Sequence, residues 1–139
     1  MRWLRYAAIA GVVLLVGWVG IVRVFPAWRA RPIRPVMDAY LRAAASNDSA
    51  ALEQVSAASY PVHWALTVER QIPAFIEAAR RAHPEWVYRR QDTLTVSFRL
   101  AHPVTDPMCA LRPLDDLQAK FVKGADGTWR IIRVAVPEC

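Results

Sequence analysis

From Tyr6 to Val22 the chain runs seventeen residues without a charge, bracketed by Arg2 and Arg5 on one side and by Arg23, Arg29, Arg31 and Arg34 on the other. An apolar helix needs about 17 to 25 residues to cross a bilayer, so residues 1–25 read as a transmembrane anchor. The same segment explains the charge of the whole protein. The first acidic residue is Asp38, and the six arginines before it equal the formal net charge of +6. Beyond them the signs balance, so the pI near 10.0 does not report a basic domain surface. Nucleic-acid binding, which needs basic residues clustered on the folded domain, loses its motive. Arginines flanking an apolar helix instead reach lipid headgroups, and membrane lipid is the partner expected for Arg2, Arg5, Arg23, Arg29, Arg31 and Arg34. Trp3, Tyr6, Trp18, Phe25 and Trp28 suit the two membrane interfaces.

A cleaved signal peptide would need small residues three and one before the cut, and Phe25-Pro26-Ala27-Trp28-Arg29-Ala30 offers no such pattern. An uncleaved signal anchor is the expectation. The basic flanks are nearly balanced, so the positive-inside rule leaves the orientation open. Two cysteines, Cys109 and Cys139, favour an oxidising compartment where they can bridge, although two separate thiols fit the sequence equally well. The working location is a bacterial inner membrane crossed once, with the C-terminal domain in the periplasm.

Residues 26–34 hold Pro26 and Pro32 among arginines, with Pro35 just beyond, which reads as an extended, semi-rigid linker. Residues 35–139 are enough for one compact domain. Val36, Met37, Tyr40, Leu41 and Ala44 recur at helical spacing, stopping near Ser46 and Asn47. Asp48 then caps a short second helix through Leu52 and Val55. A third helix begins at Thr67 or Ile72, carries Pro73 in its first turn, and ends at Pro84. From Trp86 the period changes to two. Leu94, Val96, Phe98 and Leu100 alternate with Thr93, Thr95, Ser97 and Arg99, a strand with one buried face. Leu117, Ala119 and Phe121 start another, and Gly124-Ala125-Asp126-Gly127 turns it into Trp129–Val134. Helices first and an antiparallel sheet last give an α+β class.

Two segments carry a family resemblance. Tyr40-Leu41-Arg42-Ala43-Ala44-Ala45-Ser46-Asn47-Asp48-Ser49-Ala50-Ala51-Leu52 resembles the paired N-terminal helices of the nuclear transport factor 2-like (cystatin-like α+β) superfamily. Lys123-Gly124-Ala125-Asp126-Gly127-Thr128-Trp129-Arg130-Ile131-Ile132 is similar to its closing hairpin. The resemblance covers nearly all of Pro35 to Pro137 and implies a cone of three helices packed on a curved antiparallel sheet, enclosing a pocket. Tyr40, Trp64, Phe75, Trp86, Tyr88, Phe98 and Trp129 are the side chains expected to line or plug it. Ordinary core burial accounts for them as well.

The superfamily includes ketosteroid isomerases and polyketide cyclases, and Tyr40 stands where the isomerases carry an oxyanion-stabilising tyrosine. Their reaction also needs a base. Ser59-Tyr60-Pro61-Val62-His63-Trp64 offers no carboxylate there, leaving His63 as the partner of an alternative, isomerase- or cyclase-like reading. His63, His83 and His102 are too scattered for a metal site, and no cofactor motif is present. The leading expectation is a non-enzymatic, membrane-anchored accessory or binding domain for protein assembly or a small apolar ligand. It resembles at fold level the periplasmic domain of type IV secretion assembly subunits. A homodimer through the polar face of Thr93, Thr95, Ser97 and Arg99, or a membrane-complex protein, is the expected protein partner.

Overall fold

The computed structural model of the protein describes residues 2–57, 73–105 and 113–135. His63, Trp64, Cys109 and Cys139 lie outside them, as do the start of the third helix and most of the proline-rich loop. The chain begins with α1 (Arg2–Val19), whose exposed surface is apolar. Arg5, exposed near its start, is the exception to that apolar surface, and with its continuation the helix is long and apolar enough to cross a membrane.

Residues 26–34 are not extended. The helix continues without a break from Trp3 to Ser46, through a wide π segment (Gly20–Val24), α2 (Phe25–Ala30), a 3₁₀ turn (Arg31–Ile33) and α3 (Arg34–Ser46). A proline inside a helix removes one N–H and crowds the carbonyl four residues back. Here the helix changes its winding where each proline would break it. The π segment ends with the Phe25 N–H bonded to the Gly20 carbonyl, just ahead of Pro26. Pro32 would orphan the Trp28 carbonyl, but the Arg31 N–H takes it. Pro35 would orphan the Arg31 carbonyl, and the Arg34 N–H takes that one. The result keeps one side of the segment against the domain, where Pro26, Ala30, Ile33 and Met37 are buried at helical spacing.

α3 ends at Asn47, in the left-handed conformation (φ 55°), with the Asp48 N–H returning to the Ala43 carbonyl at 2.9 Å. Asp48 opens α4 (Ser49–Val55), its carboxylate accepting from the Ala51 N–H at 3.0 Å. The chain leaves α4 along the sheet edge, where Ser56 bridges Ile131 in parallel. α5 (Pro73–Arg80) ends earlier than expected, and Pro84 falls instead within a strand.

Four strands follow, β1 (His83–Arg90), β2 (Thr93–Val104), β3 (Leu114–Lys123) and β4 (Trp129–Ala135), forming a curved antiparallel sheet in sequence order. The class is α+β, with the helices packed across one face of the sheet. On that inner face Leu94, Val96, Phe98 and Leu100 alternate as their spacing predicts, and Leu117, Phe121 and Ile131 join them. α3 supplies Tyr40 and Leu41 and α5 supplies Phe75 to the same core, each at 1% exposure or less. The β3–β4 turn is held by the Gly127 N–H on the Gly124 carbonyl at 2.9 Å, with Gly127 at φ 80°, a conformation that favours glycine.

A bulge lies between Pro84 and Trp86 in β1. Pro84 pairs with inward Phe98, whereas Trp86 pairs with outward Ser97, so the extra residue turns the rest of β1 over. Trp86 and Tyr88, expected in the pocket, therefore stand on the outer face at 51% and 52% exposure, their rings stacked 5.9 Å apart. The same inversion puts Val87 and Arg89 on the inner side, opposite Val96 and Leu94. The polar outer face expected of β2 is not uniformly exposed either, since Ser97, beside Trp86, is only 9% exposed.

Candidate functional site

Among the described residues, the inner face leaves a recess at the end of the sheet that carries the β1–β2 and β3–β4 turns. There α2 and the 3₁₀ segment cross above the sheet without sealing it, and a groove of about 580 Å³ remains. Trp28, Pro32 and Pro35 enclose it from the helical side, and Leu94 and Trp129 from the sheet. Arg29 and Arg31 come from the helical segment and Arg89 from β1. The volume falls within the range of small-molecule sites, and the mix of large apolar surface with a few charges is typical of them.

Local sequence places each group. Trp28, Pro32 and Pro35 fall one turn apart along a helix already oriented by Pro26, Ala30 and Ile33. Leu94 and Arg89 are cross-strand neighbours, and Trp129 opens β4 opposite Lys123. The β1–β2 turn is tight, with Gln91 in the left-handed region, the Thr93 hydroxyl donating to the Arg90 carbonyl at 2.7 Å and the Arg89 Nε donating to the Gln91 carbonyl at 3.4 Å.

The electrostatics are one-sided. Among the described residues, no carboxylate lines the groove. Arg29 lies over the Phe25 ring at 5.4 Å from its centre, a cation–π contact that holds the guanidinium without neutralising it. Arg34, grouped with the lipid-facing arginines from the sequence, has another task. Its Nη1 donates to the Ala82 carbonyl at 2.9 Å, just past the end of α5, while its Nε lies 3.7 Å from the Asp38 carboxylate. It ties α3 to α5 and is spent inside the domain. Arg5 and Arg23 are exposed along the apolar helix.

The remaining residues expected at a pocket divide by position. Tyr40, Phe75 and Phe98 plug the interior at 0%, 0% and 2% exposure, and none of them borders the groove. Burial pushes the Tyr40 phenol well above its ordinary value, as desolvation of a phenolate requires. Among the described members of that set, Trp129 alone reaches the groove. A smaller cavity of about 210 Å³ lies between α3 and α5, near Asn47, Ile76 and Glu77. Glu77 is already paired there with Arg80 and Arg81. Sequence reasoning missed Trp28, Leu94 and Arg89 as one site. The signal that marks them is the buried series Pro26, Ala30, Ile33, Met37, which carries the helix onto the sheet.

No family model matches the chain, and no curated protein matches it. Among solved structures it is similar to a designed NTF2 protein, Rd1NTF2_05 with five substitutions, at 15% identity and a TM-score of 0.46, over 78% of this chain and 96% of that one. It is also similar to a candidate ketosteroid isomerase from Shewanella frigidimarina, at 16% identity and a TM-score of 0.42, over 74% of this chain and 92% of that one. At these scores the likeness bears on neither ligand nor reaction, and the α+β class rests on the element order and the sheet themselves.

Proposed function

We propose that the protein is a single-pass, membrane-anchored binding domain at the outer face of a bacterial cytoplasmic membrane, and that its groove takes the apolar part of a small amphiphile without chemical conversion. The observation that carries this reading is the groove itself, an apolar recess set directly where the anchor helix meets the domain. Helical residues up to Val24 span roughly 34 Å, about the thickness of a bilayer core. Trp28 to Pro35 then follow within the interfacial layer, so an amphiphile in the outer leaflet reaches the groove without leaving the membrane.

The isomerase-like alternative relies on Tyr40. That side chain is sealed in the core and borders neither cavity formed by the described residues.

The test is photo-crosslinking of the full chain in phosphatidylcholine nanodiscs with an uncharged, diazirine-bearing monoacylglycerol, followed by peptide mapping. Adducts on the peptides holding Trp28 to Pro35, Leu94 and Trp129 are expected. Adducts confined to residues 3–24 would show ordinary lipid contact with the anchor and sink the reading.

A further inference from the structure

We infer that the groove recognises the phosphate of a net-anionic membrane phospholipid, one with no headgroup cation to compensate it, with Arg29 and Arg31 on the helical segment and Arg89 on the sheet lining its site. This rests on the binding reading above and names its ligand class. Three guanidinium-bearing residues from two parts of the fold line one cavity, and among the described residues no carboxylate lines it with them. Several arginines elsewhere on the domain are matched: Arg34 with Asp38, Arg80 and Arg81 with Glu77, Arg99 with Glu85 and Asp115, and Arg130 with Asp126. Among the described residues, none of the three groove arginines has such a pair. Gathering like charges without counterions raises their mutual repulsion, and an anion bound between them relieves it.

The donor type argues for a multi-oxygen anion. A guanidinium is planar and presents paired N–H groups that fit phosphate oxygens two at a time, and donors arriving from different elements surround a tetrahedral group better than one helix face does. The apolar side of the groove decides the source of that phosphate. Trp28, Leu94 and Trp129 offer a free inorganic ion nothing, but they can pack on the glycerol and upper methylenes of a lipid. Depth agrees with this, since the groove begins four residues beyond Val24, roughly 6 Å along a helix and within the headgroup layer. Arg89 is the informative member. It comes from the folded sheet, so ordinary snorkelling by an anchor helix does not account for it.

The experiment is native mass spectrometry of the full chain released from nanodiscs of mixed phosphatidylglycerol and phosphatidylcholine, reading the ratio of retained lipids. Wild type should retain the anionic lipid preferentially. Arg89→Gln should reduce that preference roughly fivefold, the value of one basic residue near an anionic surface, and Arg29→Gln with Arg31→Gln should reduce it further. Arg133→Gln, on exposed β4 away from the groove, should leave it unchanged. Arg89→Lys keeps the charge, loses the planar fork, and should fall between wild type and Arg89→Gln. Equal loss with Arg133→Gln would reduce the effect to net charge and overturn the site. Displacement of retained lipid by excess inorganic phosphate would overturn the lipid as its source. If the uncharged acyl probe labels the groove while no lipid preference is found, the binding reading stands and the phosphate assignment fails. If neither is seen, both fail.

Discussion

Replacing Ile33 by alanine tests whether residues 26–34 belong to the domain. Ile33 lies in the 3₁₀ turn, within the proline-rich stretch, and is 0% exposed in the common core. Removing three buried carbons at about 0.8 kcal/mol each forfeits about 2.4 kcal/mol of transfer free energy. A cavity that the surrounding side chains fill only partly raises the cost to about 3 to 4 kcal/mol. That is a large part of the roughly 5 to 15 kcal/mol by which a domain of this size is stable. The assay is guanidinium unfolding of the full chain in a nonionic detergent, followed by tryptophan fluorescence so that the persistent anchor helix does not mask the transition. Arg31→Ala, two residues earlier and exposed, is the comparator and should change stability by less than about 0.5 kcal/mol. If Ile33→Ala matches that small effect, the segment is a spacer after all and the packing argument is refuted.

Asp48→Ala removes the carboxylate that accepts the Ala51 N–H and should cost about 1 kcal/mol in the same unfolding assay, while Asp48→Asn or Asp48→Ser should recover most of it. The Asp126 carboxyl is held below the usual carboxylate range first by the Thr128 hydroxyl at 2.7 Å, then by the Thr128 N–H, with Arg130 adding to both. A lowered folded-state value means the contribution is present above the ordinary carboxylate pKa and is lost as pH falls through the lowered one. An NMR titration should therefore place Asp126 below about 3.9 and Thr128→Val should move it up; an ordinary value in wild type would contradict the hairpin geometry. Tyr40, raised by burial, adds stability below the ordinary tyrosine pKa that is lost as pH rises past it. Alkaline difference spectra should show its ionisation only with unfolding, and a Tyr40→Phe variant should lack that late component.

Elements governed by one local rule could be read from sequence. The stop at Asn47 and restart at Asp48 need only a left-handed residue followed by a carboxylate cap, and both are local. The alternation of β2 survives because the strand is central, with hydrogen-bonded neighbours on both sides fixing its register. The hairpin follows from glycines where the backbone needs them. Two readings went astray for the opposite reason. Counting prolines at 26, 32 and 35 predicts an extended linker, because the rule for a single proline ignores how π and 3₁₀ turns take up the disruption once the helix has a surface to pack on. The resemblance puts Trp86 and Tyr88 at the pocket, and only the pairing with β2 reveals the bulge that sends them out. In each case tertiary contact overrode a sound expectation.

Those departures also make the groove. Had β1 kept regular alternation from inward Pro84, Arg89 would face outward with Trp86 and Tyr88 inside, filling the space with aromatic rings. The bulge puts Val87 and Arg89 on the inner side in place of the two rings, with Arg89 at the edge of the recess. Had the prolines broken the helix instead of being absorbed by its π and 3₁₀ turns, Trp28, Arg29 and Arg31 would not ride on the same helix as the buried series. Irregular backbone costs stability, and a chain built only to close its core would gain from a straight helix and an unbulged edge strand. Here both irregularities converge on one recess, from elements about sixty residues apart. They also give it a chemical sign, positive and apolar together. That convergence ties the long apolar N-terminal helix to the domain as parts of one site, because the wall carrying Trp28 and Arg29 is that helix continued.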